Sequence, residues 1–204
     1  MTTTVAIALY EGFDELDAIG PYEVFETARA FGGEIRATLR TLDPVDTVTA
    51  SHGLRVAVDG TLSGTEFDVL LVPGGGWSSR PEHGAWGEAE RRDLPERIAE
   101  THAADTTVAS VCTGGMILAR AGVLDGRPAT THASALADLR ETDALVREER
   151  VVDDGDVLTA GGVTSGLDLA LHLVERECDA ELAERVATEL EYDRREVYSS
   201  RTTS

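Results

Sequence analysis

Short apolar runs alternate with segments of helical periodicity from one end of the chain to the other. Apolar runs predict strands at residues 5–9, 35–42, 48–51, 54–59, 68–72, 107–111, 128–131, 151–152 and 157–159. Apolar residues at helical spacing predict helices at 21–31, 84–103, 116–121, 165–174 and from 179 onward. Strands that alternate with helices in this way pair in parallel and are covered on both faces. The sequence therefore predicts an α/β fold, with a mostly parallel sheet sandwiched by helices.

Single residues predict where two helices start and where the domain ends. Pro21 suits the first turn of a helix, so we expect the first helix to begin there. Ser165 and Asp168 have the spacing of a capping box and predict the start of a later helix. The chain after Tyr192 is polar and is expected to fray. These features predict one domain at 1–191 and a polar tail at 192–204.

The N-terminal residues do not fit a signal peptide. Met1 is followed by three threonines and then by the first apolar run, with no basic segment before it. Apolar runs stay below the roughly 18 residues that a membrane span needs. The two cysteines, Cys112 and Cys178, are too few for a disulfide framework. We therefore expect a cytoplasmic protein with no membrane contact.

The chain is strongly acidic and contains no lysine. It has 38 acidic and 18 basic residues and a formal net charge of −20, and every basic residue is an arginine. Such a surface repels phosphate backbones, so no nucleic-acid partner is expected. The composition suits the salt-rich cytoplasm of a halophile, where ions screen the repulsion. The alternative is an acidic protein from a mesophile with a GC-rich genome.

We predict that the stability of this protein rises with salt. The Debye length falls from about 10 Å at 0.1 M to about 3 Å at 1 M ionic strength, which weakens repulsion among surface carboxylates. The thermal midpoint is therefore expected to climb along a KCl series from low to molar concentration. A midpoint that does not respond to KCl contradicts the halophile interpretation.

Cys112 is the strongest candidate nucleophile. It lies between the apolar strand 107–111 and a helical run that follows Gly114 and Gly115, an arrangement typical of a nucleophile elbow. Amide groups at the start of that helix are expected to favour the thiolate. The backbone N–H of Thr113, with that of Gly75 after another buried strand, is expected to bind a developing negative charge. The alternative is that Cys112 is a buried structural cysteine.

Asp17 and His132 are the candidate acid–base residues. Asp17 is predicted to lie in the turn between the first strand and the first helix, where packing beside it would desolvate its carboxyl group and raise its pKa. His132 follows the strand-like run 128–131. The other histidines lie in turns or on polar helix faces: His52, His83, His102 and His172. No pair of histidines has zinc-finger or HExxH spacing, so we predict no metal and no cofactor, and we expect Cys178 to be structural.

Several motifs in order along the chain resemble the ThiJ/PfpI superfamily, which shares a flavodoxin-like fold with the class I glutamine amidotransferases. The resemblance covers about residues 5 to 190. It is carried by GFDELDAIGP at 12–21, VPGG at 72–75, SVCTG at 110–114, ATTH at 129–132 and TAGGVTSG at 159–166. Within the superfamily these blocks look most like isonitrile hydratases and the amidotransferase-like domain of AraC-type regulators. The acidic charge and the absence of a helix-turn-helix after residue 191 argue against a regulator.

The resemblance implies a role for each site residue. Cys112 would be the nucleophile, Asp17 its acidic partner, Thr113 a catalytic or positioning group, and the amides of Gly75 and Thr113 the anion-binding pair. The expected protein is an isonitrile hydratase-like enzyme that acts on a small molecule as a homodimer.

Three alternatives stay open: an amidase or protease, a glyoxalase or deglycase, and a non-catalytic redox or ligand sensor. The proteases and deglycases usually have glutamate where this chain has Asp17. The hydratases often have tryptophan where it has Ala133.

Overall fold

An eight-stranded, mostly parallel sheet forms the centre of the protein in the computed structural model, which describes residues 1–200. The strands are β1 (Thr3–Ala8), β2 (Ile35–Thr41), β3 (Thr47–Thr49), β4 (Arg55–Ala57), β5 (Gly60–Thr61), β6 (Val69–Val72), β7 (Thr107–Val111), β8 (Pro128–Ala129), β9 (Leu145–Val146), β10 (Val151–Asp153), β11 (Val157–Ala160) and β12 (Tyr198–Ser199). Their order in the central sheet is β12-β10-β11-β7-β6-β1-β2-β5, with β10 antiparallel to β11. The pairs β3–β4 and β8–β9 form two small separate sheets.

Two groups of helices flank this sheet. The helices are α1 (Glu15–Ala30), α2 (Ala85–Arg91), α3 (Asp93–Ala103), α4 (Gly114–Arg120), α5 (Leu136–Leu139), α6 (Ser165–Glu177) and α7 (Ala180–Glu189). Helices α1, α6 and α7 contact one another, and α2, α3 and α4 form the second group. All four residues of β6 and the last four of β7 are buried, as continuous apolar runs predict for strands covered on both faces. The predicted α/β class is confirmed.

Helix α1 begins six residues before Pro21, so the predicted start is wrong. The carboxylate of Asp14 caps the helix by accepting a hydrogen bond from the backbone N–H of Leu16. Glu15 and Asp17 then lie in the first turn, where negative charge is favoured by the helix dipole. Asp17 is therefore held on a helix and does not lie in a turn.

The predicted capping box at Ser165 is also wrong. Ser165 is the first residue of α6, and the cap position belongs to Thr164, whose side chain makes no capping bond. Asp168 has a different role, because its buried carboxylate accepts hydrogen bonds from Arg150 Nε at 2.5 Å and from the hydroxyl group of Tyr192 at 2.8 Å.

The same carboxylate anchors the chain after α7. Asp168 accepts a third hydrogen bond from the backbone N–H of Arg195, and β12 pairs with β10 to form the edge of the sheet. Residues 192–200 are therefore packed against the sheet and not frayed; the predicted tail extends beyond them to residues 201–204, which lie outside the described residues. None of the helices in the described part of the chain has the length and apolar character that crossing a membrane requires.

Candidate active site

Three loops that carry the predicted reactive residues meet at one edge of the sheet. Strands β1, β6 and β7 are neighbours and run parallel, so their carboxyl ends lie side by side. Asp17 follows β1, Gly74 and Gly75 follow β6, and Cys112 and Thr113 follow β7. Hydrogen bonds between these loops show that they are in direct contact. The carboxyl ends of adjacent parallel strands are where α/β proteins usually bind ligands.

Cys112 has the strained backbone of a nucleophile elbow. Its φ angle is +57°, a left-handed conformation that residues other than glycine rarely adopt. The backbone around it is fixed, because its N–H donates to Ala160 O and its carbonyl accepts from Thr131 Oγ1 at 2.9 Å. Gly114 has no room for a side chain, since a Cβ there would lie 2.2 Å from Val72 O. The predicted strand–turn–helix geometry at Cys112 is therefore present.

Asp17 is fully buried and only half satisfied by hydrogen bonds. Its Oδ2 accepts from the backbone N–H of Gly74 at 3.0 Å, whereas its Oδ1 has no partner. Burial, followed by the nearby charge of Asp14, raises the pKa of the Asp17 carboxyl group to about 8. Hydrogen bonds from the Gly74 N–H and from the Cys112 side chain lower this pKa but do not outweigh burial, so the predicted desolvated acid with a raised pKa is found.

Burial, and then the negative charge of Asp17, raises the pKa of the Cys112 thiol above its ordinary value. A backbone hydrogen bond from Thr113 to the sulfur acts in the opposite direction but is outweighed. The start of α4 does favour the thiolate through the Thr113 N–H, but the expectation that the pKa of Cys112 is lowered overall is wrong. Burial also raises the pKa of the Cys178 thiol. Neither thiol is poised to ionise at neutral pH without a neighbour that takes the proton.

The predicted anion-binding pair is occupied by a side chain. The backbone N–H of Gly75 donates to the Thr113 hydroxyl oxygen at 3.0 Å. The N–H of Thr113 is directed at the sulfur of Cys112. Gly75 can therefore bind a substrate anion only after the Thr113 side chain turns away from it, and we retain the anion-binding role of the pair as a prediction on that condition.

His132 lies next to Cys112, but its ring is engaged elsewhere. Its backbone N–H donates to the carbonyl of Cys112 at 3.3 Å. Its Nδ1 contacts the Ser134 hydroxyl at 2.8 Å and accepts the Ser134 N–H, which caps the short 3-10 helix at Ala133–Ala135. Over residues 1–200, no hydrogen bond joins the imidazole to the Cys112 thiol. The role of His132 as a base stays a prediction.

Trp77, two residues after Gly75, is a buried residue that the sequence does not single out. Its indole Nε1 donates to Asp138 Oδ2 at 2.5 Å, which ties the loop after β6 to α5, the helix that follows His132. The ring of Trp86 packs edge-on against Trp77 at 4.9 Å, and the guanidinium of Arg80 lies 4.6 Å from the Trp86 ring centre.

A group of potential metal ligands lies beside the site. In the described residues, one group of three side chains offers ligand atoms within 4.8 Å of one another: Asp14, Glu15 and His52. Glu15 Oε2 contacts His52 Nδ1 at 2.7 Å and also accepts from Ser51, so these atoms already satisfy one another. Histidine spacing could not reveal the group, because His52 comes from the turn between β3 and β4, distant in sequence from the two carboxylates.

Comparisons with known proteins agree with this geometry. The model of the DJ-1/PfpI family matches residues 3–176. The chain is 32% identical to an isonitrile hydratase of Pseudomonas putida over 193 residues, which is 94% of this chain and 79% of that protein. It is 25% identical to protein dj-1beta of Drosophila melanogaster over 92% of this chain and 96% of that one. The crystal structure of a ThiJ/PfpI family protein from Pseudomonas syringae superposes with a TM-score of 0.82 at 30% identity, covering 96% of this chain and 77% of that chain.

Proposed function

The chain belongs to the DJ-1/PfpI family, and on that premise we propose that it is a cysteine-dependent isonitrile hydratase, which converts an isonitrile and water into an N-substituted formamide. The observation that carries the proposal is the buried pair of Asp17 and Cys112. The charge of Asp17 raises the pKa of the Cys112 thiol, whereas a hydrogen bond between the two side chains lowers the pKa of Asp17. Such a pair can hold one proton and release it to a substrate, as hydration of an isonitrile requires.

In the first step the Cys112 sulfur bonds to the terminal carbon of the isonitrile. The pair supplies its shared proton to the same carbon through Asp17, so the carbon–nitrogen triple bond becomes a double bond. The product is a thioimidate attached to Cys112. The raised pKa of the Cys112 thiol does not prevent attack, because the thiol does not have to lose its proton to water. The proton passes instead to Asp17, whose carboxyl group has a pKa of about 8.

In the second step water adds to the thioimidate carbon. Asp17 is then a carboxylate, because the reactive form of the pair holds a single proton and has given it to carbon, so it takes one proton from that water and passes it to the nitrogen. The carbon–sulfur bond then breaks, the hydroxyl proton returns to the pair, and the N-substituted formamide leaves. One carboxyl group thus acts as acid and then as base, and the enzyme regains its starting protonation.

The alternative chemistries receive less support from the same residues. A Cys–His protease mechanism needs an imidazole at the thiol, and the His132 ring is bonded to Ser134. A redox sensor depends on an easily formed thiolate, whereas burial and Asp17 raise the pKa of Cys112. We include a homodimer in the proposal, as the resemblance to the family implies.

Formamide formation from cyclohexyl isocyanide, followed by chromatography, tests the proposal. Wild-type protein is expected to turn over while Cys112→Ser does not, because only the thiolate can add to the carbon. Thr113→Ala removes the hydroxyl group and keeps the backbone N–H, so a loss on the order of 10²-fold is expected if the hydroxyl group itself is an oxyanion-site donor, and little loss if the two amides alone bind the anion.

His132→Ala serves as the discriminating variant. It should lose less activity than Asp17→Asn if the carboxyl group moves the protons; a larger loss in His132→Ala favours the Cys–His mechanism. Wild-type turnover no faster than that of Cys112→Ser contradicts the hydratase proposal.

A further inference from the structure

Tyr10 and Asp17 bind the two ends of a single peptide group. The hydroxyl group of Tyr10 donates to the carbonyl oxygen of Pro73 at 2.7 Å. The N–H of the same peptide, which belongs to Gly74, donates to Asp17 Oδ2 at 3.0 Å. Both bonds are buried. A continuous chain of hydrogen bonds therefore runs from the tyrosine through one amide plane to the carboxyl group of the site.

Hydrogen bonds on opposite sides of an amide strengthen each other. A donor at the carbonyl oxygen draws electron density from the nitrogen and makes its N–H a stronger donor, an effect of roughly 10–30% per bond. The Gly74 N–H already lowers the pKa of Asp17 by stabilising the carboxylate. A hydroxyl group at Pro73 O therefore stabilises the ionised form of Asp17 without touching it.

We propose that Tyr10 is a positioning residue that sets the proton affinity of Asp17 through the Pro73–Gly74 peptide. The inference rests on the role proposed for Asp17 and Cys112, but its test needs no isonitrile turnover. Tyr10 can act only as a donor, since burial holds the pKa of its hydroxyl group well above the ordinary value. Its hydrogen bond, made from a position two residues after β1, also holds the loop that carries Gly74.

The other charged groups around this chain of bonds do not replace Tyr10. Asp14 lies before α1 and raises the pKa of Asp17. Glu88 on α2 and Cys112 at the end of β7 act on Tyr10 through space, in the same direction as Asp17. All of these charges are negative or become negative on ionisation, so they oppose an ionised Asp17. Two hydrogen bonds favour the ionised form, one from the Gly74 N–H and one from the Cys112 side chain, and Tyr10 acts on the first of them.

The rate at which iodoacetamide alkylates Cys112 reports the titration of Asp17. Iodoacetamide reacts with the thiolate, so the rate rises with pH as the Cys112 thiol loses its proton. Once Asp17 is ionised, its negative charge opposes a second negative charge on sulfur, and the rate levels off. In Tyr10→Phe the carboxylate is less stable, so the levelling-off is expected about 0.5 pH unit higher, with a plateau about threefold faster. Rates near pH 6, where Asp17 is neutral in both proteins, are expected to be equal. Peptide mapping by mass spectrometry separates Cys112 from Cys178.

Tyr192→Phe is the matched control, since it removes a hydroxyl group that bonds Asp168 and Arg150 far from the site in sequence. It should leave the Cys112 profile unchanged. Adding Tyr10→Phe to Asp17→Asn should also leave the profile of Asp17→Asn unchanged.

A Tyr10→Phe profile that levels off at the same pH as wild type overturns the proposal. So does an alkylation rate that changes by the same factor at every pH, because loosened packing around Cys112 would act in that way. A further shift by Tyr10→Phe in the Asp17→Asn background overturns it as well. None of these outcomes depends on whether isonitriles are substrates.

Discussion

Replacing Asp17 with asparagine will stop formamide formation and at the same time make Cys112 alkylate faster in alkaline solution. The two effects have opposite signs because Asp17 moves the protons of the reaction and also suppresses the thiolate. General acid–base groups contribute about 10²–10⁴-fold, and Asp17 would act in both steps, so a loss near the upper end of that range is expected. Chromatography of formamide from cyclohexyl isocyanide measures this loss.

The gain in thiol reactivity follows from the pKa of Asp17. Below that pKa the carboxyl group is neutral, so wild type and Asp17→Asn should alkylate at equal rates. Above it the wild-type rate levels off, whereas asparagine carries no charge and the rate keeps rising. With the pKa of Asp17 at about 8, the variant should be about tenfold faster at pH 9.

Asp14→Asn is the matched control for this pair of measurements. Asparagine caps a helix as well as aspartate does, so α1 should keep its start while one nearby negative charge is lost. Turnover should persist, and the alkylation profile should level off at slightly lower pH, since Asp14 raises the pKa of Asp17. Equal alkylation of wild type and Asp17→Asn at pH 9 would show that the two groups are not coupled.

The fold was accessible from sequence because its strongest signals are local. The run that became β6 is apolar without interruption and that of β7 is interrupted only by Ser110 after its first residue, a pattern typical of strands buried on both faces. The start of α1 was missed because Pro21 is a conspicuous helix signal, whereas the true cap, Asp14, is one of four acidic residues in its stretch. The docking of residues 192–200 depends on the carboxylate of Asp168, a long-range contact that no local pattern encodes.

The site was predictable as a set of residues but not in its electrostatics. Asp17, Gly75 and Cys112 each follow a predicted buried strand, and the carboxyl ends of parallel strands are where reactive groups gather, so their convergence is predictable. The direction of the thiol pKa could not be predicted from the start of α4 alone, since burial and the charge of Asp17 arise only from the packed structure. The engagement of the Gly75 N–H by Thr113 is likewise a contact between two loops.

Position 74 requires glycine because the loop after β6 packs closely against Asp17 and Thr113. Its φ angle is outside the left-handed region, so an alanine there would meet no backbone strain. A Cβ at this position would nevertheless lie 2.5 Å from Thr113 N, 2.6 Å from Thr113 Oγ1 and 2.9 Å from Asp17 Oδ2. The loop after β6 can touch the acid and the elbow together only because residue 74 has no side chain.

Gly74→Ala is therefore expected to separate Asp17 from Cys112 and Thr113. A displacement of about 1 Å in a reacting group can cost on the order of 10²-fold in rate, and the loss of turnover should be at least that large. Overpacking should also lower the free energy of unfolding by about 1–3 kcal/mol, which thermal denaturation measures. Gly161→Ala is the control: Gly161 follows β11 as Gly74 follows β6, and its added Cβ would meet nothing closer than 3.6 Å. The control should keep both turnover and stability, whereas wild-type turnover in Gly74→Ala would contradict the close contact of the three loops.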